Sequence, residues 1–329
     1  MQSSASRQIV FPMHSFPRIS VVVFVLNAVE TTERALTSVL AQGQPPVGLL
    51  VIDGGSTDGT IDIVRKYESS IAHWRSYRDG NATVALNEGV ERATGDVIAL
   101  LPADDWIEPG GLGIVKNAFS ADPDLDVVSC GTRIVHFERG GNLVVDAEFL
   151  APKDLEFDMY GILRLPLTCG RFIRRRVYRR VGGHNPEYCM SNDLDFLIRV
   201  CLSRPKTKVV PQLVYSYRRH PASRTLGGGP DSIMDTSRGN ISVSAHHLEY
   251  SPLMPDERSE LRRLHGRSSA RLAWILIARG RIHESMMTLL QTVRHNWLWP
   301  VQIIYWFGCY LLNSKRYPNL NNSNHQSYR

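Results

Sequence analysis

Four strand-like runs, three of them apolar, recur through the first hundred residues, the first three each followed by polar, helix-patterned sequence. That alternation limits the fold more than any other feature. "ISVVVFVL" (19–26) is apolar at every position, as a strand covered on both faces must be. Ala35, Leu36, Val39 and Leu40 then recur at helical spacing, after Asn27 and Glu30, which read as an N-cap and its capping-box partner. "GLLVID" (48–53) is a second buried strand, broken by "GGSTDG". "TIDIVRKY" carries Ile61, Val64 and Tyr67 on one helical side. "HWRSYR" (73–78) is a weaker strand, "TVALNEGVERA" a short helix stopped by Gly95, and "DVIALL" the fourth strand. Strands alternating with helices over short connections predict an α/β fold, a mostly parallel sheet with helices on both faces.

Farther along, residues 125–146 read as a hairpin turning at Gly140–Gly141. "RFIRRRVYRRVGG" and "NDLDFLIRVCL" read as helices, "KVVPQLVYSYRRH" as a strand, and the chain from Pro230 to residue 312 as helical. The expected division is a catalytic α/β domain over 18–225, a helical C-terminal region over 226–312, and disordered tails at 1–17 and 313–329. The 329 residues suffice for one large domain with such an appendage.

Five cysteines without paired spacing argue against a disulfide framework or a zinc knuckle and for a reducing compartment. The first 18 residues lack the apolar core of a signal peptide. The longest apolar run, "WLWPVQIIYWFGCYLL" (297–312), falls short of the roughly 20 residues a spanning helix needs and is interrupted by Pro300 and Gln302. Charge is uneven: residues 256–329 hold 11 Lys and Arg against 4 Asp and Glu, so the excess of +6 belongs to the tail. It is therefore no argument for nucleic-acid binding by the main domain. The basic tail with Trp297, Trp299 and Trp306 reads either as a helical cap or as a surface that meets lipid headgroups over residues 256–316.

In a parallel sheet ligands bind at the carboxyl ends of strands. Asn27, Asp53, Asp79 and the pair Asp104–Asp105 all fall at such ends. "VIDGGSTDG" lacks the G-x-G-x-x-G spacing of a dinucleotide loop, which disfavours an NAD-dependent oxidoreductase. Asp53 can only accept, so it suits a base N–H or a ribose hydroxyl, or else the turn is an ordinary one capped by Ser56 or Asp58. Asp104 and Asp105 suit Mg²⁺ or Mn²⁺ with substrate phosphates, or else an exposed turn. Asp193, at the start of "NDLDFLIR" with Arg199 two turns on, reads as a general base or as a carboxylate on a helix dipole. Arg218, Arg219, His220 and Arg224 in "YSYRRHPASRT" could bracket a pyrophosphate or form a solvated basic loop.

Taken together, "ISVVVFVLNAVETTERALTSVLAQ", "LLVIDGGSTDGTIDIVRKY", "ATGDVIALLPADDWIEPG" and "SNDLDFLIR" resemble the family 2 glycosyltransferases of GT-A fold, over residues 18–225. The resemblance implies inverting transfer of a sugar from a nucleoside-diphosphate donor, a UDP-sugar first, to a hydroxyl of a glycan or lipid-linked acceptor in surface polysaccharide or glycolipid assembly. It implies Asn27, Asp53, Asp79 and Asp104 as nucleotide contacts, Asp105 as the ligand of Mg²⁺ or Mn²⁺ with Asp104 beside it, and Asp193 as the catalytic base. It also implies a cytoplasmic location, peripheral on the inner membrane face. The chain departs from the family at Phe24-Val25-Leu26-Asn27, where a Pro-x-Tyr-Asn type is usual, and at 80–86, where a lysine, a tyrosine and a second aspartate are missing. It also has Asn192 in place of the glutamate before the base. These departures leave a non-catalytic binding member of the fold as one alternative. A sugar-nucleotide nucleotidyltransferase is disfavoured, because no glycine follows Leu26 before Gly43.

Overall fold

A computed structural model of the chain describes residues 16–295, apart from 44–47, 166, 189, 222 and 224–229. Its first part alternates as expected: β1 (Ile19–Val25), α1 (Val29–Leu40), β2 (Leu49–Asp53), α2 (Thr60–Lys66), β3 (His73–Ser76), α3 (Ala82–Arg92) and β4 (Val97–Pro102). These strands pair in parallel in the order β3-β2-β1-β4. The pleat sends alternate residues to opposite faces. Val21 and Val23 join one apolar core with Leu36 and Val51, while Val22 joins the other with Ile52, Leu86 and Ile98. Burial on both faces leaves the carboxyl ends as the place where polar groups emerge. After β1 the chain moves outward to β2 and β3, then returns to lay β4 on the other side of β1. A crevice opens where the order reverses.

The second part is β5 (Trp106–Ile107), α4 (Gly111–Ala121), β6 (Val127–Phe137), β7 (Leu143–Phe149), α5 (Pro152–Leu155), α6 (Met159–Arg164), β8 (Arg171–Arg174), α7 (Arg175–Val181), α8 (Asn192–Leu202) and β9 (Thr207–Arg218). The expected hairpin is β6–β7, with both turn glycines at positive φ. Here the sheet becomes mixed. β8 lies antiparallel to β4 and β6, β9 runs parallel to β6, and β5 closes the edge antiparallel to β9. The helix expected throughout "RFIRRRVYRR" is corrected: 171–174 is a strand, and α7 starts at Arg175. Phe172 and Ile173 enter opposite cores, which is strand geometry compressed into two apolar residues.

Beyond the gap come α9 (Pro230–Tyr250), α10 (Pro255–Ala278) and α11 (Ile282–His295). Val243, Leu248, Leu261 and Leu264 belong to the same core as Val22 and Ile98, so α9 and α10 pack as a cap on the sheet domain. Leu272 and Leu276 complete the buried stripe of α10 with Met234 of α9. α11 leaves Ile282, Met286, Met287, Leu290 and Val293 exposed. Among the described residues no helix is long and apolar enough to cross a membrane. The expectations for residues 1–15, for the aromatic run 297–312 and for the tail 313–329 lie outside the described residues.

One buried cluster fastens the cap to α8. Asp195 accepts from His247 of α9 (3.0 Å) and from Arg199 Nη2 (2.7 Å), with the Asp195 and His247 side chains 4% and 3% exposed. Burial alone would raise the Asp195 pKa, but the His247 and Arg199 hydrogen bonds outweigh it and hold the carboxyl below the usual range. Removing one member leaves uncompensated charge in the interior. Asp195→Ala is expected to cost about 3–5 kcal/mol in urea unfolding, and to combine less than additively with His247→Ala. A loss under about 1 kcal/mol would contradict this account of the cap.

Candidate active site

A cleft of about 880 Å³ opens at the carboxyl edge of the sheet, lined among others by Asn27, Thr168, Asp104, Asp193, Arg218 and His220. Asn27 follows β1 with φ 48°, in the left-handed region that asparagine tolerates. Its N–H donates to Ser56 Oγ (2.7 Å) and its Oδ1 accepts from Thr57 N–H (2.9 Å). The N-cap expectation for Asn27 is therefore corrected. The cap position of α1 is Ala28, without a side-chain cap; Thr60 Oγ1 and Asp58 Oδ2 accept from the N–H groups of Ala28 and Val29 instead.

Asp53 is fully buried and off the cleft lining. Its carboxylate accepts from the N–H groups of Gly55 (2.8 Å) and Ser56 (2.9 Å), from the Ser56 hydroxyl and from Ser76 Oγ (2.6 Å). Three of these bonds fall on Oδ2 and one on Oδ1, so the acceptor capacity Asp53 has left is on Oδ1. Gly55 holds this turn at φ +90°, where a Cβ would stand 2.9 Å from Arg78 N. Asp79 is also off the lining and pairs with Arg75 (3.0 Å). Arg75 reaches the Asp53 carbonyl (2.5 Å) and Glu88 (2.6 Å) as well, so one guanidinium ties together the ends of β2 and β3 and the middle of α3.

Asp104 and Asp105 part company. Asp104 faces the cleft, its Oδ2 3.0 Å from His220 Nε2, with both side chains about 30% exposed. Asp105 is 1% exposed and turns the other way, accepting from Tyr215 OH and from Arg218 N–H (2.8 Å). Burial first, then the Asp104 charge, push its carboxyl well above the usual range. Asp105 is the expected metal ligand, and in this structure both its oxygens are engaged inside the protein. Asp104 and His220 face the cleft from this wall, and Glu30, Asp58 and Asp193 also line it. Among the described residues no cluster of three His, Cys, Asp or Glu forms a ready-made cage. The Asp104 carboxylate at the cleft wall fits Mg²⁺ or Mn²⁺, ions that keep waters and take phosphate oxygens for the remainder, and the His220 imidazole beside it fits the softer Mn²⁺ better than Mg²⁺. Arg218, beside them, has a buried Nε without a hydrogen-bond partner among the described residues, which suits a phosphate. Arg224 lies outside the described residues.

Across the cleft, Asp193 stands in the first turn of α8 with its side chain 35% exposed. Arg199 does not face Asp193; it pairs with Asp195 and clamps the carbonyls of Val181 (2.6 Å) and Gly183 (2.7 Å).

The family profile described as "Glycosyl transferase family 2" matches residues 20–182, the stretch that builds β1 to α7 and carries Asp104. The chain belongs to glycosyl transferase family 2. The chain is 29% identical over 229 residues to the PGL/p-HBAD biosynthesis glycosyltransferase Rv2957 of Mycobacterium tuberculosis, covering 67% of this chain and 81% of that one. It is 31% identical over 130 residues to the uncharacterized glycosyltransferase YibD of Escherichia coli, a match that takes in 39% of this chain and only 38% of that relative's length. Among solved structures, Staphylococcus aureus TarS in complex with UDP superposes with a TM-score of 0.52 at 15% identity, covering 84% of this chain and 91% of that one. The Pyrobaculum calidifontis mannosyltransferase PcManGT, in complex with GDP-Man and Mn²⁺, gives 0.55 at 19% identity, covering 81% and 76%. These structural likenesses establish the GT-A fold.

In this family 2 chain the structure thus brings Asn27, Asp104, Asp193, Arg218 and His220 to one cleft, and sets Asp53, Asp79 and Asp105 behind its wall. Sequence reasoning missed His184, a buried ring 3.4 Å from Asp193. Eight residues, nearly all loop and turn, separate the two in sequence, and no periodicity links them.

The wall behind the cleft has its own pH signature. Arg75, Tyr77 and Arg92 all donate to Glu88. Burial would raise the Glu88 pKa, but these partners outweigh it and hold the carboxyl at about 2. A depressed carboxylate adds stability above its unfolded value, and that stability is lost as pH falls toward the folded one. Glu88→Gln is expected to lose up to about 3 kcal/mol near neutral pH. Urea unfolding should show the gap to wild type closing as pH falls from 4.5 to about 2; a gap independent of pH would contradict it.

Proposed function

We propose that the chain is an inverting, metal-assisted glycosyltransferase that moves a sugar from a nucleoside-diphosphate donor to a hydroxyl of a glycan or lipid-linked acceptor. The observation that carries this reading is one cleft with Asp104 and His220 on one wall and Asp193 on another. Asp104 and His220 would hold Mg²⁺ or Mn²⁺. When bound, that ion neutralises charge developing on the departing diphosphate. Arg218 adds a fixed positive charge to the same wall. Asn27, with its turn pinned to Ser56 and Thr57, positions the nucleotide at the reversal point of the sheet.

Asp193 is the general base. It accepts the acceptor's proton while that oxygen bonds to the anomeric carbon opposite the leaving group. The route is a single displacement, so configuration inverts and no enzyme nucleophile is required. Cys169, the thiol on the lining, is buried and pushed well above its usual pKa, which leaves it a poor nucleophile. Structural neighbours bound to UDP, UDP-GlcNAc or GDP-Man support a nucleotide-sugar donor, and a UDP-sugar remains the first expectation. The exposed apolar residues of α11 and the basic tail support contact with a membrane surface, on its cytoplasmic face, during surface glycan or glycolipid assembly.

Calorimetry with UDP and with GDP, each with Mn²⁺ and with EDTA, tests the donor side. One diphosphate should bind in a metal-dependent way, and Asp104→Ala should weaken it at least about 10-fold. Asp193→Asn should bind the same diphosphate as wild type yet turn over its sugar donor on the order of 100-fold more slowly or worse. Failure of a folded chain to bind either diphosphate would favour the non-catalytic reading.

A further inference from the structure

His184 is a buried polar ring for which the fold alone gives no reason. Its side chain is 0% exposed and stacks on Phe196 of α8, centroids 4.2 Å apart at 22°. Tyr178 of α7 lies 6.5 Å beyond. A phenyl ring would fill this aromatic slot without a polar atom to bury. Neither ring nitrogen has a hydrogen-bond partner among the described residues, and a buried polar group without one is costly. The polar group that Nε2 does approach is Asp193, whose Oδ1 is 3.4 Å away.

The ring is held there from two sides. Asn87 of α3 accepts from His184 N–H (2.8 Å) and donates to its carbonyl (2.7 Å). That fit requires Gly183, where a Cβ would stand 2.6 Å from Asn87 Oδ1. Arg199 of α8 grips the carbonyls of Val181 and Gly183 just before it. Phe196, under the ring, lies one helical turn beyond Asp193 on the same helix, so ring and carboxylate share a platform. An imidazole must carry a proton on at least one nitrogen, and the neighbouring carboxylate favours Nε2.

We infer that His184 is a positioning residue for Asp193: its Nε2–H holds one carboxylate oxygen and leaves the other turned toward the acceptor hydroxyl. The inference rests on the reading of Asp193 as the base. The separation of 3.4 Å is longer than the roughly 2.7–3.2 Å of a formed N–H···O bond. Such contacts in an empty active site tighten when the reacting complex assembles. His184 touches no substrate in this account. It limits the rotation of the carboxylate that does, and misplacing a reacting group costs rate more than binding.

Nitrogen-15 spectra of the histidine-labelled full chain test the pairing without any substrate. The Nε2 signal of His184, assigned by its loss in His184→Phe, should lie in the protonated range and move when Asp193→Asn removes the carboxylate charge. If His184→Phe does not fold, His184→Gln supplies the assignment. A bare Nε2, or a signal that Asp193→Asn leaves in place, overturns the inference. In turnover of UDP-GlcNAc or GDP-mannose, whichever diphosphate the chain binds, His184→Phe should lower kcat on the order of 10- to 100-fold with the donor KM unchanged. His184→Gln, which keeps an N–H donor, should recover part of it. Undiminished kcat in His184→Phe, beside a dead Asp193→Asn, overturns the pairing and leaves the base standing. Normal turnover by Asp193→Asn overturns the base reading itself.

Discussion

Two adjacent carboxylates at the end of a buried strand repel each other, and the low-dielectric approach raises the cost of ionising both. The chain separates them by direction. β4 ends at Pro102, and Asp105 turns inward against Tyr215 and the Arg218 N–H, where burial holds its carboxyl above the usual range. Asp104 is left facing the cleft with His220 as its partner. The inward turn also fixes β9 beside β5, since Tyr215 pairs with Ile107 and Ser216 with Trp106. The end of β9 then delivers Arg218 and, just past it, His220 to the cleft. One inward carboxylate thus organises the wall that would hold a diphosphate.

The opposite wall depends on the cap. α8 brings Asp193 to the cleft and sends Asp195, two residues on, into the buried cluster with His247 and Arg199. Arg199 in turn clamps the loop that presents His184. The C-terminal helices are therefore coupled to α8 through hydrogen bonds and a shared core.

Much of this was legible before any coordinates. β1, β2 and β4 are long, β-branched and buried on both faces, so their pattern has one reading, and parallel order follows from the helices between them. Asn27, Asp104, Asp193, Arg218 and His220 were legible because they sit at strand and helix ends. β8 was not, because its two apolar residues are flanked by arginines whose pattern also suits a helix. The directions of Asp104 and Asp105 were not, since a turn that follows a strand does not obey the strand's alternation. Asp53 reads as a ligand contact in the sequence, and only the structure reveals that three donors of its own turn and Ser76 of β3 already bond to it. His184 depends on a loop folding back over α8, which no local period encodes.

We propose that Asp104, not Asp105, faces the reacting groups. Crystals grown with UDP and Mn²⁺ would test it most directly, through the anomalous scattering of manganese. The account predicts a single peak within coordination distance of Asp104 and His220, at about 2.0–2.3 Å from their donor atoms, with Asp105 still bonded to Tyr215. A peak coordinated by Asp105, with its bond to Tyr215 broken, would contradict it.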